Sequence, residues 1–409
     1  MICRFCAQKL IHTFIDLGNT PPSNSYLTEK GMGETESRYP LKVMVCNHCW
    51  LVQTVDFVGT GEMFSEDYAY FSSYSTSWLE HASSYVEDVA LRFNLSRQST
   101  VVEIAANDGY LLQYVQKKGI PCYGIEPTHS TAQAAQKKGI EIIEDFFDAA
   151  KAQELTQQGR QADLIIANNV LAHVPDINAF VRGVAILLKS NGVATFEFPH
   201  LVNLVEQCQF DTIYHEHFSY LSLTAVLAIF EANGLSAFDV DELPTHGGSL
   251  RVYAQLSQSG QHPVSETISA LKAREDQLGV SSVGFYNQTQ RAAEKIKVDL
   301  LDFLRDAKEQ GKKVVAYGAA AKGSTLLNFA GVSSDLIQHV VDKNPAKQGK
   351  YMPGSRIPIL APENIYLHRP DYVVILPWNI AREVQDEYRS VSEWGGKFVI
   401  AVPSLMVLH

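Results

Sequence analysis

Four cysteines constrain this chain before any other feature does. Cys3-x-x-Cys6 and Cys46-x-x-Cys49 are separated by 39 residues, and each CxxC turn offers two sulfurs to one point. Brought together, four thiolates satisfy a tetrahedral zinc ion and leave no open position, so the ion's role would be structural. A redox CxxC stands singly beside a helix, which disfavours that reading of the paired motif. His48, inside the second pair, is a lesser ligand candidate than the sulfurs that flank it. Cys122 and Cys208 have no such partners and read as buried thiols. Residues 1–60, with a turn-rich middle at Gly18-Asn19-Thr20-Pro21-Pro22, are therefore expected to form a small zinc-binding domain.

The remaining length exceeds one ordinary core. With 409 residues, 46% hydrophobic and 19% charged, the chain reads as soluble and multidomain. A net charge of −11 argues against a nucleic-acid surface, which needs a basic stripe. An anionic small ligand stays compatible, because local Lys, Arg and helix N-termini hold phosphates inside acidic proteins. No apolar run approaches the roughly 20 residues that span a bilayer, and MICRFCAQKL lacks the apolar core of a secretory signal. The expectation is a cytoplasmic protein without membrane or nucleic-acid partners.

Two α/β blocks follow. Residues 61–256 open with the connector EDYAYFSSYSTSW and a helix over 77–93. Strand candidates VVEIA, CYGIE, ADLIIANN and GVATFEF then alternate with helical stretches, and SAFDVDEL and SLRVYAQL suit a terminal hairpin. Residues 257–409 carry amphipathic helices, with Ser265 as an N-cap and a long helix over 284–310. A second strand–helix set follows: KVVAYG, IQHVVD, DYVVILPW and KFVIAV. Such alternation predicts parallel, doubly wound sheets.

The first of these blocks contains a nucleotide pocket in its sequence. VVEIAANDGYLL delivers Glu103 and Ala105 into a small-residue turn at Asn107-Asp108-Gly109, whose tight backbone lets a ligand approach the next helix. Only one glycine is present, which weighs against a dinucleotide and its GxGxxG turn. Glu126-Pro127 ends the second strand, where a carboxylate can accept two ribose hydroxyls. Asp145-Phe146 offers a polar group and an aromatic wall for adenine, and Asn168-Asn169 ends the fourth strand. Taken in this order, they favour S-adenosylmethionine over a nicotinamide cofactor.

The paired CxxC block, EIAANDG, NNVLAHV, FDTIYHEHFSY, HGGSLR and YGAAAKG together resemble the sugar C-methyltransferases of branched-deoxysugar synthesis. Within that family the chain is most similar to the TDP-sugar 3-C-methyltransferases of the tetronitrose pathway. The resemblance covers nearly the whole chain. It implies three units: a zinc-binding domain, a class I S-adenosylmethionine methyltransferase domain, and a C-terminal Rossmann-like domain that helps hold a sugar nucleotide.

The implied substrate is a nucleotide-linked 4-keto-6-deoxysugar, with dTDP favoured and GDP open, methylated at C3 or, in other members, C5. The implied base is His217, whose imidazole suits proton removal beside a ketone. Tyr214 and Glu216 would fix the substrate or the base, and His173 would line the same cavity. Substrate contacts are expected from Tyr68, Tyr70, His215, His246, Gly248, Arg251, Lys322, Asn328 and Asn379. A catalytic metal at His215-Glu216-His217 is disfavoured because the HExxH spacing is absent. Two other readings compete: a nicotinamide-dependent sugar-nucleotide oxidoreductase, and a non-catalytic scaffold that binds nucleotide sugars.

Overall fold

A computed structural model of the protein describes residues 1–55 and 71–408. Tyr68 and Tyr70, expected at the substrate, lie outside the described residues. Three β-sheets organise the rest.

The first sheet grows from the cysteine block. Strands β1 (His12–Thr20), β2 (Tyr39–Val45) and β3 (Val52–Thr54) pair antiparallel in sequence order. Alternation sets the face of β2, which buries Leu41, Val43 and Val45 and leaves the residues between them more open. The turn expected at Gly18-Asn19-Thr20 is instead the end of β1, which reaches Thr20 through a register shift between Asp16 and Asn19. Gly18, at φ +77, supplies the irregular backbone there.

The second sheet contains β4 (Val101–Ile104), β5 (Cys122–Ile125), β6 (Ile142–Ile143), β7 (Ala162–Asn168) and β8 (Leu188–Pro199), all parallel. After β8 comes a two-residue strand, β9 (Ser219–Tyr220), which leaves this sheet and pairs with β3 of the first. The hairpin of β10 (Leu235–Leu243) and β11 (Ser249–Leu256) then closes the second sheet, β11 lying antiparallel to β8. The spatial order is β10-β11-β8-β7-β4-β5-β6. Counted within this unit it reads 3-2-1-4-5-7-6 with the seventh strand reversed, the class I methyltransferase arrangement. Every residue of β4 is buried, as expected of a strand covered on both faces. The order reverses at β4, so the turns after β4 and β7 face one crevice at the carboxyl ends of the strands.

A third, C-terminal sheet has the order β14-β13-β12-β15-β16-β17. Its members are β12 (Val314–Tyr317), β13 (Val340–Val341), β14 (Ile359–Leu360), β15 (Tyr372–Ile375), β16 (Lys397–Ile400) and β17 (Met406–Leu408), with only β17 antiparallel. The long helix expected over 284–310 is two: Val283–Tyr286, then Thr289–Glu309. Ala293, Ile296, Leu300, Leu304 and Ala307 make the buried stripe of the longer one, at helical spacing. That stripe shares one core with Phe14, Leu41 and Val43 of the first sheet and Val374 of the third.

Candidate active site and cysteine knuckle

Each CxxC turn is closed in the same way. Ala7 N donates to Cys3 O at 3.0 Å and Trp50 N to Cys46 O at 2.9 Å, and both Ala7 and Trp50 take left-handed φ (58° and 62°). The two turns converge so that all four sulfurs lie within 4.8 Å of one another, with Cys3–Cys49 at 3.5 Å and Cys6–Cys46 at 3.6 Å. A tetrahedron of Zn–S bonds of about 2.3 Å has sulfurs a little under 4 Å apart, so the set fits the ion. Cys3, Cys46 and Cys49 are buried, where four thiolates would repel one another strongly without a cation between them.

The turn after β4 is held in an unusual backbone. Ala105, Asn107 and Gly109 all have positive φ (57°, 49° and 72°), a cost that surrounding contacts must sustain. Glycine suits position 109, where a Cβ would stand 2.4 Å from the Ile140 Cδ1 and 3.1 Å from the Ala135 Cβ. Glu126 holds the loop from the next strand: its carboxylate accepts from Asn107 N (2.9 Å), Thr128 N (3.0 Å) and Thr131 Oγ1 (3.1 Å). This refines the expected ribose role, because the carboxylate is first a loop anchor. Burial raises its pKa against the pull of those donors. Glu103 lies deeper, and burial drives its pKa well above the usual carboxyl range, opposed by Tyr110. Asp108 is buried within reach of Lys138 (3.5 Å). Pro127 is half-buried beside the loop. Asp145 accepts from Phe146 N (2.8 Å) and pairs with Lys151 (2.7 Å), while Phe146 is exposed.

Across the crevice stand the ends of β7 and β8. Asn168 is buried with its Oδ1 unpaired, and Asn169, at φ 53°, approaches His246 Nε2 at 3.4 Å. Behind them lies an assembly that the sequence did not announce. Glu197 of β8 accepts from His81 (2.9 Å), Thr245 (3.1 Å) and Arg251 (2.6 Å). Burial opposes its charge, but His81 and Arg251 prevail and hold its pKa low. Trp78 stacks on His81 and meets His246 at 5.0 Å. Arg251 is thus neutralised within the sheet, and the expectation that it reaches a phosphate is corrected. The Gly247-Gly248 pair also serves packing: added Cβ atoms would stand 2.4 Å from Trp378 and 2.2 Å from Asn203.

The segment Tyr214 to His217 forms a turn between a 3-10 helix (Phe210–Thr212) and β9. His217 Nδ1 lies 2.8 Å from Thr212 O. A carbonyl only accepts, so Nδ1 carries the proton and Nε2 the lone pair. The ring packs against His173 at 4.6 Å and Tyr214 at 3.9 Å between centroids. Burial, with the His173 ring beside it, lowers the pKa of His217 well below the usual value; burial takes His173 to about 4.

Its neighbours turn elsewhere. His215 is fully buried beside Tyr39 of β2, so its expected substrate contact is corrected to an anchoring role. Glu216 accepts from Asn24 Nδ2 at 3.1 Å, keeps a buried Oε2 without a partner, and is raised to about 7 by burial.

Lys322, at the helix start after β12, donates to Asn379 Oδ1 at 2.7 Å and lies 4.5 Å from the Trp378 ring. Burial lowers it to about 8, against the pull of Asp211. The Trp378 ring that Lys322 lies against also meets Gly247, the residue after His246, which joins the two segments. Trp378 Nε1 donates to the buried Asp211 at 2.7 Å, tying the C-terminal block to the start of the histidine run. Asn328, expected at the substrate, donates its side-chain amide to Ser324 O (2.8 Å) and Pro353 O (3.0 Å). A groove of about 700 Å³ opens beside Asn379, lined by Ser77, Ile380 and Arg382 and by the carboxylates Glu383, Asp386 and Glu387.

Three family models match the chain. Residues 3–64 match a model of a proposed zinc binding domain, 78–239 a methyltransferase domain, and 244–403 a C-methyltransferase C-terminal domain. The C-methyltransferase NovU of Streptomyces niveus is 33% identical over 406 residues, 99% of this chain and 96% of its own. A ubiquinone biosynthesis O-methyltransferase of Bordetella avium is 30% identical over 98 residues, 24% of this chain and 41% of its own. A solved magnesium protoporphyrin IX methyltransferase from Synechocystis is 18% identical over 44% of this chain and 79% of its own, and its TM-score of 0.34 is too low to bear on function.

Proposed function

This chain belongs to the C-methyltransferase family, and on that premise we propose that it methylates C3 of a nucleotide-linked 4-keto-6-deoxysugar, with S-adenosylmethionine as donor. The nucleotide is read as dTDP ahead of GDP. Three units divide the work: residues 1–60 bind zinc, 61–256 hold the donor and perform the transfer, and 257–409 help hold the sugar nucleotide.

When bound, adenosylmethionine supplies an electrophilic methyl group. The chain's task is to make a sugar carbon nucleophilic, and an adjacent ketone allows this by acidifying the C–H bond. His217 Nε2 takes that proton, and the C–H electron pair enters the enolate. Tyr214 and His173 hold the imidazole in its plane, and Lys322 provides a cation for the negative charge of the substrate. Glu126 keeps the donor loop in its left-handed backbone, and the rim at Asp145-Phe146 receives the adenine. The observation that carries this reading is the Nδ1 contact of His217 with Thr212 O, which leaves Nε2 as the basic nitrogen of a buried, neutral ring.

The test is to incubate the protein with adenosylmethionine and candidate dTDP- and GDP-linked 4-keto-6-deoxysugars, and to look by mass spectrometry for one added methylene mass. Carbon NMR of the product then separates C3 from C5. His217→Asn should bind both ligands and lose about 10²–10⁴-fold in turnover, while His215→Asn should lose folding stability more than rate. A His217 variant with near-normal turnover would refute the assignment.

A further inference from the structure

The cysteine knuckle does more to the histidine run than share a chain with it. The first sheet is completed by β9, the two residues that follow His217 and Phe218: Val52 pairs with Tyr220 and Gln53 with Ser219. Phe218 is pinned on both backbone groups. Its N–H donates to Ala172 O at 2.8 Å, next to His173, and its carbonyl accepts from Thr54 N at 3.1 Å, at the end of β3. One residue thereby sets the spacing of the two facing histidines against the zinc-binding sheet.

Two side chains link that sheet to the sulfurs. Gln53 is fully buried, an environment in which an amide must find partners. Its Nε2 donates to Cys3 Sγ at 3.2 Å, and its Oε1 accepts from Arg4 N at 2.9 Å. Arg4, between Cys3 and Cys6, sends its guanidinium back to Thr54 O (3.1 Å) and Pro175 O (3.0 Å), with its centre 5.2 Å from the Phe218 ring. Every atom in the path from Cys3 to Phe218 is held by a hydrogen bond or a covalent bond.

We propose that the knuckle is a positioning device for His217, with Gln53 and Arg4 as the side chains that transmit its geometry. Packing of the domain alone would not require an amide on the sulfur and a guanidinium on Phe218, where apolar residues would fill the same space. The inference rests on the reading of His217 as the base only for the step it names; the positioning itself is measurable without substrate.

The experiment uses full-length, zinc-loaded Gln53→Met and Arg4→Met. Metal content is measured first, then hydrogen exchange at the Phe218 amide and the ¹⁵N resonances of the His217 imidazole, then kcat and KM. With zinc retained, both variants should show faster exchange at Phe218 and a displaced His217 signal. The kcat should fall about tenfold at unchanged KM, since small misplacements of a reacting group are costly. In a His217→Asn background neither substitution should reduce kcat further. Unchanged exchange and imidazole signals in zinc-loaded Gln53→Met overturn the proposal, as does an additive kcat loss in the His217→Asn background. If Gln53→Met cannot retain zinc, Arg4→Met, which replaces no contact to sulfur, decides by the same readouts. Absence of methylated product from the wild type would count against the proposed substrate and leave these two signals to judge positioning.

Discussion

His217 and Lys322 are displaced in the same direction by the same cause, and the consequences for activity are opposite. Burial lowers both. If His217 is the base, as proposed, it must be neutral, so its fall below the usual value should keep it competent across neutral pH and move the acid limb of kcat/KM below about 6.5. An ammonium must stay protonated, so Lys322 at about 8 should set a basic limb near that pH. Lys322→Gln should lower kcat/KM and remove the basic limb; a limb that stays near pH 8 in that variant would assign it to another group. The residue types were legible in the sequence, because two histidines, a glutamate and two tyrosines within a few positions signal chemistry. Their facing was not: His215 and His217 differ by two residues, and only the turn sends one to β2 and the other to His173. Arg251 misled for a related reason, since its partners Glu197 and His81 come from elements 54 and 170 residues away.

At the scale of elements, the parallel strands could be read because burial on both faces leaves an apolar run in sequence. Short strands could not. β3 and β9 hold three and two residues, too few for a period, and exist because the knuckle and the histidine turn bring them side by side. Helix starts show the same limit. The helix Leu223–Ala232 has the readable cap Ser222, which accepts from Ala225 N at 3.1 Å. Its first two amides, Leu223 N and Thr224 N, instead donate to Glu275 from another helix, at 2.7 Å each, together with His200 and Thr224 Oγ1. Burial opposes the Glu275 charge, but these donors win and lower its pKa. Its contribution is therefore complete above the unfolded value near 4.5 and is lost as pH falls through the lower folded value. Glu275→Gln should cost about 2 kcal/mol at neutral pH, read as a lower urea midpoint at unchanged slope, and the deficit should narrow in acid. Equal losses at pH 7 and pH 3.5 would mean that packing, and not the charge, stabilises this joint.

Across the whole molecule, the sequence shows three blocks and nothing in it shows that two of them share a core. The reason is physical: Phe14, Leu41 and Val43 look like the inward face of a small independent sheet, and their partners Ile296 and Leu300 look like one stripe of an amphipathic helix. Neither pattern names the other. Because one core serves both, the metal site should support the C-terminal block as well as its own. Stripping zinc with a strong chelator is expected to remove folding free energy from the cysteine turns, as it does when a metal binds only the native state. It should then raise hydrogen exchange along Thr289–Glu309, some 240 residues beyond the last cysteine of the knuckle. The amides of β4 and β7, in the core of the second sheet, should respond much less. A chelated protein that loses protection in β1 to β3 while Thr289–Glu309 keeps its own would show the shared core to be a docking surface between separately stable units.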